Sequence, residues 1–231
     1  MSGDLPDPKA FQERYRISDE AMAAAGMDWA DLEAIHRDHV KRSPELDDVA
    51  QLVARRLSRL DEVHSTRTRV KGPEHLLEKI IRKRAQGALP AITPESYTQH
   101  ITDLIGVRAL HLLKNEWRAI HEAICGTWDL KERPQANVRK GDSAEVVEQF
   151  RKEDCEIREH PDGYRSVHYL LKCAPQRTEH IVEVQVRTIF EEGWSEIDHR
   201  VRYPYAAPGL VEQLASGVPE PREELRQVLK G

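Results

Sequence analysis

The sequence predicts an α/β (α+β) domain, a mixed β-sheet flanked by helices, with a helical annex at its N-terminus. Three observations carry that prediction. In Ile181–Thr188, "IVEVQVRT", Val182, Val184 and Val186 alternate with Glu183, Gln185 and Arg187. That is the period-two pattern of a strand with one buried and one polar face. Between such segments lie stretches with helical spacing, for example Leu76, Leu77, Ile80 and Ile81. The first sixty residues carry helical spacing alone, and strands interleaved with helices beyond them define the class.

Taken in order, Ser18 caps a short helix that ends at Gly26. A second helix runs from about Asp28 to Lys41. Ser43-Pro44 then reads as a cap followed by proline at a first helical position. Leu46, Val49, Val53, Leu57 and Leu60 form the stripe of the helix after it. "HSTRTRVK" reads as a strand with Arg67, Arg69 and Lys71 on one face, and Pro73 opens a helix. Thr93-Pro94 starts a short one. "LIGVRALHLL" is apolar enough for a central strand. "NEWRAIHEAICG" follows as a helix, with Asn115 as cap and Gly126 as stop. Residues 131–152 show no clear period and are expected to form a loop or a mobile helix. "CEIREH" and "SVHYLLKC" flank Pro161-Asp162-Gly163 and read as a hairpin. After the opening strand, Phe190, Trp194, Ile197 and Val201 mark the buried side of a last helix. The implied organisation is an annex over 1–61, a core domain over 62–205 and a Pro/Gly-broken tail over 206–231.

Composition narrows the function classes. The 231 residues are 39% hydrophobic and 32% charged, with a formal net charge of −5. A net acidic chain is poorly suited to broad, non-specific nucleic-acid binding, which needs excess Lys and Arg against phosphate. Three cysteines without CxxC spacing argue against a zinc site and a disulfide framework, and fit a reducing compartment. The N-terminus has no apolar signal segment, and no apolar run approaches the ~20 residues that cross a bilayer. A cytoplasmic protein without a membrane role is expected. No GxxxxGK[ST] loop, GxSxG elbow or HExxH pair is present.

Charge placement points to a phosphate-rich ligand. Arg67, Arg69, Lys71, Lys79, Arg82, Lys83 and Arg84 put seven cations into eighteen residues. The last three also suit a solvated helix face. Cations on the strand suit a polyphosphate, since Arg makes bidentate contacts and stacks on bases. Asp103 precedes an apolar strand that carries Arg108 and an unusual interior glycine, Gly106, which often marks a close approach. Asp103 and Glu183 together suit a divalent cation such as Mg²⁺ bridging phosphate oxygens. Tyr164 follows Gly163 in a turn, where its ring can stack on a base, and Arg165 and His168 come next.

In order, these residues resemble the synthetase domain of the RelA/SpoT alarmone enzymes over roughly residues 64–203. The RxKxxxSxxxK signature is similar to Arg69-Val70-Lys71 with Lys79, and DxxGxR to Asp103, Gly106 and Arg108. GYxSxH is similar to Gly163, Tyr164, Ser166 and His168, and ExQxRT to Glu183, Gln185, Arg187 and Thr188. Trp194 with Asp198-His199-Arg200 resembles the final region. The resemblance implies a nucleotidyltransferase-like mixed sheet. It also implies an ATP-dependent enzyme that moves the β,γ-pyrophosphate of ATP to the 3′-hydroxyl of GDP or GTP and releases AMP. By it, Asp103 and Glu183 hold Mg²⁺, and Glu183 helps activate the acceptor hydroxyl. Arg69 and Arg108 sandwich adenine, Lys71 and Lys79 meet the donor phosphates, and Tyr164 stacks on the acceptor base. Arg187, His168 and His199 complete the phosphate and hydroxyl contacts. The chain departs from the pattern at His75, where the family has serine, in the lead "EHPD" before Gly163, and in "DHR" for "EHK". The hydrolase domain of long bifunctional members has no counterpart, so the chain resembles the small synthetases, some of which form homo-oligomers, or a synthetase module of a longer toxin-like protein. Other acceptors open to this family are an adenosine nucleotide and the 3′ end of tRNA. A silent nucleotide-binding module is the alternative outside enzymology.

Overall fold

The computed structural model describes residues 5–160 and 163–202, the last five as backbone. The annex comprises α1 (Pro8–Tyr15), α2 (Asp19–Ala25) and α3 (Trp29–Leu57). Ser18 accepts from the Ala21 amide at 3.2 Å to cap α2, and Gly26 ends it at φ +59°. The Ser43-Pro44 pair does not start a helix. Pro44 lies inside α3, which continues through it. The apolar stripe explains why. Leu32, Ile35 and His39 on one side of the proline and Leu46, Val49, Val53 and Leu57 on the other are all buried. Burial of that one face offsets the missing amide. The Ser43 hydroxyl instead donates back to the His39 carbonyl at 2.8 Å.

The core elements are β1 (Ser65–Val70), α4 (Pro73–Ala85), α5 (Tyr97–His100), β2 (Ile105–His111), α6 (Trp117–Thr127), β3 (Gln135–Arg139), α7 (Ala144–Lys152), β4 (Glu156–His160), β5 (Ser166–Cys173) and β6 (His180–Thr188). The six strands form one mixed sheet in the order β1-β2-β6-β5-β3-β4. β2 and β6 are parallel, as are β3 and β4; the other pairs are antiparallel.

Three local expectations are corrected. The charged segment 131–152 holds a strand, β3, and a helix, α7. β4 and β5 do not form a hairpin, because β3 lies between them, parallel to β4 and antiparallel to β5. Gly126 does not stop α6, which runs on to Thr127. The amides ahead of it, Leu112 and Leu113, are capped by the Glu116 carboxylate at 2.9 and 2.8 Å rather than by Asn115.

The sheet has an apolar and a polar face. Val182, Val184 and Val186 share the apolar face with Ile105, Val107, Ala109, Val167, Tyr169 and Leu171, all buried. Helices α3 and α6 cover it: Gln51 donates to Thr68 Oγ1 at 2.9 Å, and Trp117 Nε1 donates to the Tyr169 hydroxyl at 3.0 Å. Residues up to Thr188 form one compact unit. The second unit starts at Ile189, and its described part is α8 (Ile189–Arg202). Phe190 and Ile197 of that helix are exposed where the spacing predicts burial. The tail beyond it lies outside the described residues, as do Pro161 and Asp162. Among the described residues no helix is long and apolar enough to cross a membrane.

The annex also ties down the residue that follows β1. His39 Nε2 sits 2.6 Å from the Lys71 carbonyl, and burial lowers the imidazole pKa, so the ring is neutral and donates from Nε2. His39→Ala is expected to lower the urea midpoint by an amount equivalent to about 1–3 kcal/mol, the cost of losing a buried donor.

Candidate active site

Register assembles the polar face. In one row Arg69, Gly106, Glu183 and Leu170 stand side by side across β1, β2, β6 and β5. In the next row stand Arg67, Arg108, Gln185, His168 and Gln135. The alternation that buries three valines of β6 therefore aims Glu183, Gln185 and Arg187 to the other side, beside the arginines of β1 and β2. Gly106 leaves a gap in its row. A Cβ there meets only the Arg69 carbonyl, at 3.6 Å, and its φ is not positive, so the backbone does not require glycine.

Asp103 lies just before β2. Its Oδ2 accepts from Lys71 Nζ at 2.9 Å and Lys79 Nζ at 2.8 Å. Lys71 follows β1 and Lys79 belongs to α4, so one oxygen ties three segments. Burial alone would raise the Asp103 pKa, but the two ammonium groups outweigh it and hold the carboxyl below its ordinary value. Its Oδ1 is buried and has no partner among the described residues. Lys71 is itself lowered, by burial, against the pull of Asp103.

Glu183 has the opposite electrostatics. Burial raises its pKa first, and the negative charge of Asp103 adds to the rise. The hydrogen bond from Gln185 Nε2 to Glu183 Oε2, 2.9 Å, works against them, together with Lys79 and Arg69. The two carboxylates feel each other at one end of the sheet, one firmly ionised and the other pushed toward neutrality. His168 Nδ1 is 3.6 Å from Glu183 Oε1. That contact is no salt bridge, because burial, Arg187 and His160 push the imidazole down to about 4.

Tyr164 closes the other end of the row. Its hydroxyl lies 3.1 Å from His168 Nε2 and donates to Gln185 Oε1 at 3.4 Å. The Arg187 guanidinium carbon, in a buried side chain, stands 5.3 Å from the ring centroid. The ring is thus tethered and backed by a cation rather than free-standing.

The structure brings Arg69, Arg108, Glu183, His168, Arg187 and Tyr164 onto one face, with Asp103, Lys71 and Lys79 at its end. His199 falls in α8 at a position whose side chain lies outside the described residues. Two further cations of the basic run have partners within the chain. Arg82 pairs with Glu78 at 2.7 Å, and Arg84 donates to the Ala25 carbonyl at 3.0 Å. Sequence reasoning assigned no role to Gln185, which joins Glu183 to Tyr164, although its place in the alternation was a signal. It also missed His39, whose helical burial carries no mark of its target.

The family model described as "Region found in RelA / SpoT proteins" matches residues 68–208, well over half of the chain. The chain belongs to that family. No curated protein sequence matches it. Among solved structures it is similar to small alarmone synthetase 1 from Bacillus subtilis, at 18% identity, with 96% of this chain and 97% of that chain covered and a TM-score of 0.46. For small alarmone synthetase 2 from the same organism the values are 18%, 88%, 91% and 0.42. For a GTP pyrophosphokinase family protein from Streptococcus pneumoniae they are 15%, 90%, 84% and 0.44.

The neutral His168 has a measurable consequence. Unfolded, the ring titrates near 6.5; folded, only at about 4. Between those values the unfolded chain binds the extra proton, so stability falls as pH drops from about 6.5 to about 4. His168→Gln is expected to flatten that part of the profile in urea titrations at several pH values. An unchanged slope would show that His168 already titrates normally in the fold.

Proposed function

We propose that the chain is an ATP-dependent pyrophosphokinase that transfers the β,γ-pyrophosphate of ATP to the 3′-hydroxyl of GDP or GTP. The observation that carries this reading is the carboxylate pair. Asp103, just before β2, and Glu183, on β6, interact through charge and stand beside Lys71, Lys79 and Arg69 in a member of the RelA/SpoT family.

The pair fits a divalent cation. Asp103 offers a buried oxygen without a partner, and Glu183 carries a penalty that a cation would relieve. Among the described residues no third His, Cys, Asp or Glu joins them. Two carboxylates are what Mg²⁺ takes when phosphate oxygens and water fill its other positions. When bound, Mg²⁺ would neutralise charge on the transferring phosphates.

The chain's own residues divide the remaining work. Lys71 and Lys79 present ammonium groups to the donor phosphates at the end of β1 and the inner side of α4. Arg69 and Arg108, on adjacent strands, hold the adenine between their guanidinium planes. Glu183 accepts the proton of the acceptor hydroxyl, a role that suits a carboxylate raised toward neutral pH. Gln185 fixes the orientation of that carboxylate. Tyr164, backed by Arg187, offers its ring to the acceptor base, and His168, neutral, donates or accepts a hydrogen bond without adding charge. Catalysis then rests on holding the 3′-hydroxyl in line with the β-phosphorus and on charge neutralisation. Transfer to tRNA ranks second, since two of the cations an RNA would use are engaged within the chain, Arg84 with the Ala25 carbonyl and the half-exposed Arg82 with Glu78.

The test is transfer of label from γ-labelled ATP, with Mg²⁺, to GDP, GTP, ATP or tRNA offered separately. Label in guanosine nucleotide supports the reading; label in tRNA alone overturns it. Glu183→Gln is expected to lower transfer about 10²–10⁴-fold, the span of general-base removal. Because the native carboxylate is raised, its ionisation opposes folding above its unfolded value, so the same variant should unfold at a higher temperature at pH 7. Gly106→Val makes an independent check. Its side chain enters the gap between Arg69 and Glu183 without backbone strain, so transfer should be lost while the melting temperature stays within about 4 °C of wild type, roughly 1 kcal/mol.

A further inference from the structure

The turn between β3 and α7 reaches across to the segment that carries Tyr164, and it holds the residue on each side of that tyrosine. Asp142 accepts from Arg165 twice, on Oδ2 from Nε at 3.0 Å and on Oδ1 from the terminal nitrogen. Its Oδ2 also accepts the Arg139 amide at 2.8 Å, and its own amide donates to the Arg139 carbonyl at 3.0 Å. Gly141, at φ +88°, supplies the left-handed residue of this turn. On the other side of Tyr164, Gly163 lies against the Arg139 side chain. A Cβ at Gly163 would meet the Arg139 Cδ at 3.3 Å, and Gly163 sits at φ +73°. The Asp142 side chain is only 10% exposed, so the fork to Arg165 is shielded and directional. Burial alone would raise this carboxyl, but the Arg165 fork and the Arg139 amide lower it, so it is ionised.

Nothing in the site itself requires this arrangement. The Tyr164 hydroxyl already has His168 and Gln185. Those contacts fix the hydroxyl end of the ring; the backbone beside it is held by the Gly163 amide on the His160 carbonyl at 3.0 Å and by the start of β5 at Ser166. The clamp on Gly163 and Arg165 adds to that hold. We propose that Asp142 is a positioning residue that, through Arg165 and the Arg139 turn, sets the pose of Tyr164 and with it the affinity for the acceptor nucleotide. This rests on the reading of Tyr164 as the residue that meets the acceptor base.

Two readouts on the full chain test it: the rate of Tyr164 nitration by tetranitromethane, located by peptide mapping, and steady-state transfer with ATP and GDP. In Asp142→Ala the phenol loses its fixed, half-buried setting, and nitration of Tyr164 should rise severalfold. The KM for GDP should rise about tenfold, as loss of a shielded charge-assisted fork would give, with the KM for ATP within about twofold. The paired reversal, Asp142→Arg with Arg165→Asp, should recover only part of both losses, because an arginine restores the charge pair but cannot accept the Arg139 amide. If Asp142→Ala does not fold, Asp142→Asn, which keeps one acceptor oxygen, gives the same signs at smaller size. Unchanged nitration overturns the clamp. Nitration that rises in Asp142→Ala while the GDP KM stays put there, with the GDP KM also unchanged in Tyr164→Ala, overturns the assignment of Tyr164 to the acceptor and leaves the clamp standing. An equal rise in both KM values overturns a role confined to the acceptor side.

Discussion

One carboxylate oxygen organises this molecule. Oδ2 of Asp103 takes hydrogen bonds from two lysines that arrive from different segments. Burying three charges is costly, and such a cluster persists only when each charge has a partner. Here the cost is met at the junction of the end of β1, the inner side of α4 and the start of β2. The neighbouring Glu183 is only partly compensated, by Gln185, Lys79 and Arg69, and burial beside Asp103 leaves its pKa raised. The two carboxylates therefore stand in opposite electrostatic settings, one held below its ordinary pKa by two lysines and one held above it.

The sheet order gives this cluster its surroundings. β2 lies between β1 and β6, so the arginines of β1 and β2 stand on the same side as Glu183. The apolar face fixes their positions, since a one-residue slip of β6 would put Glu183 among the valines and Val184 on the polar face. The helical annex contributes at a distance. Its His39 holds the carbonyl of Lys71, the residue whose side chain holds Asp103. The annex thus holds a residue of the candidate site by its backbone carbonyl.

Much of the fold was legible because period and burial agree. The valine alternation of β6, the apolar run of β2 and the capped α2 all read directly from residue type. The errors share a cause, which is that local signals were outvoted by pairing or burial elsewhere. Pro44 looks like a helix start, yet a continuous buried stripe carries α3 through it. β4 and β5 look like a hairpin because they are neighbours in sequence, yet β3 inserts between them. β3 itself was hidden, as "QANVR" has no strong alternation although Ala136, Asn137 and Val138 are all buried. In the site, the residues that carry formal charge on regular strands were readable from spacing. Asp142 was not, because its partner Arg165 lies 23 positions away and turns carry no period.

The parallel pairing of β2 with β6 joins Gly106 to Glu183, more than seventy positions apart. Contacts of that separation form slowly, since a long loop must close before any pairing rewards it. Glu183 cannot meet Asp103 until β3, β4 and β5 have been made and β6 has been inserted between β2 and β5. On a ribosome, where the chain emerges from its N-terminus, Lys71, Lys79 and Asp103 are synthesised long before Glu183 appears. The order of synthesis thus keeps the carboxylate pair apart in every nascent chain until its sheet is nearly finished.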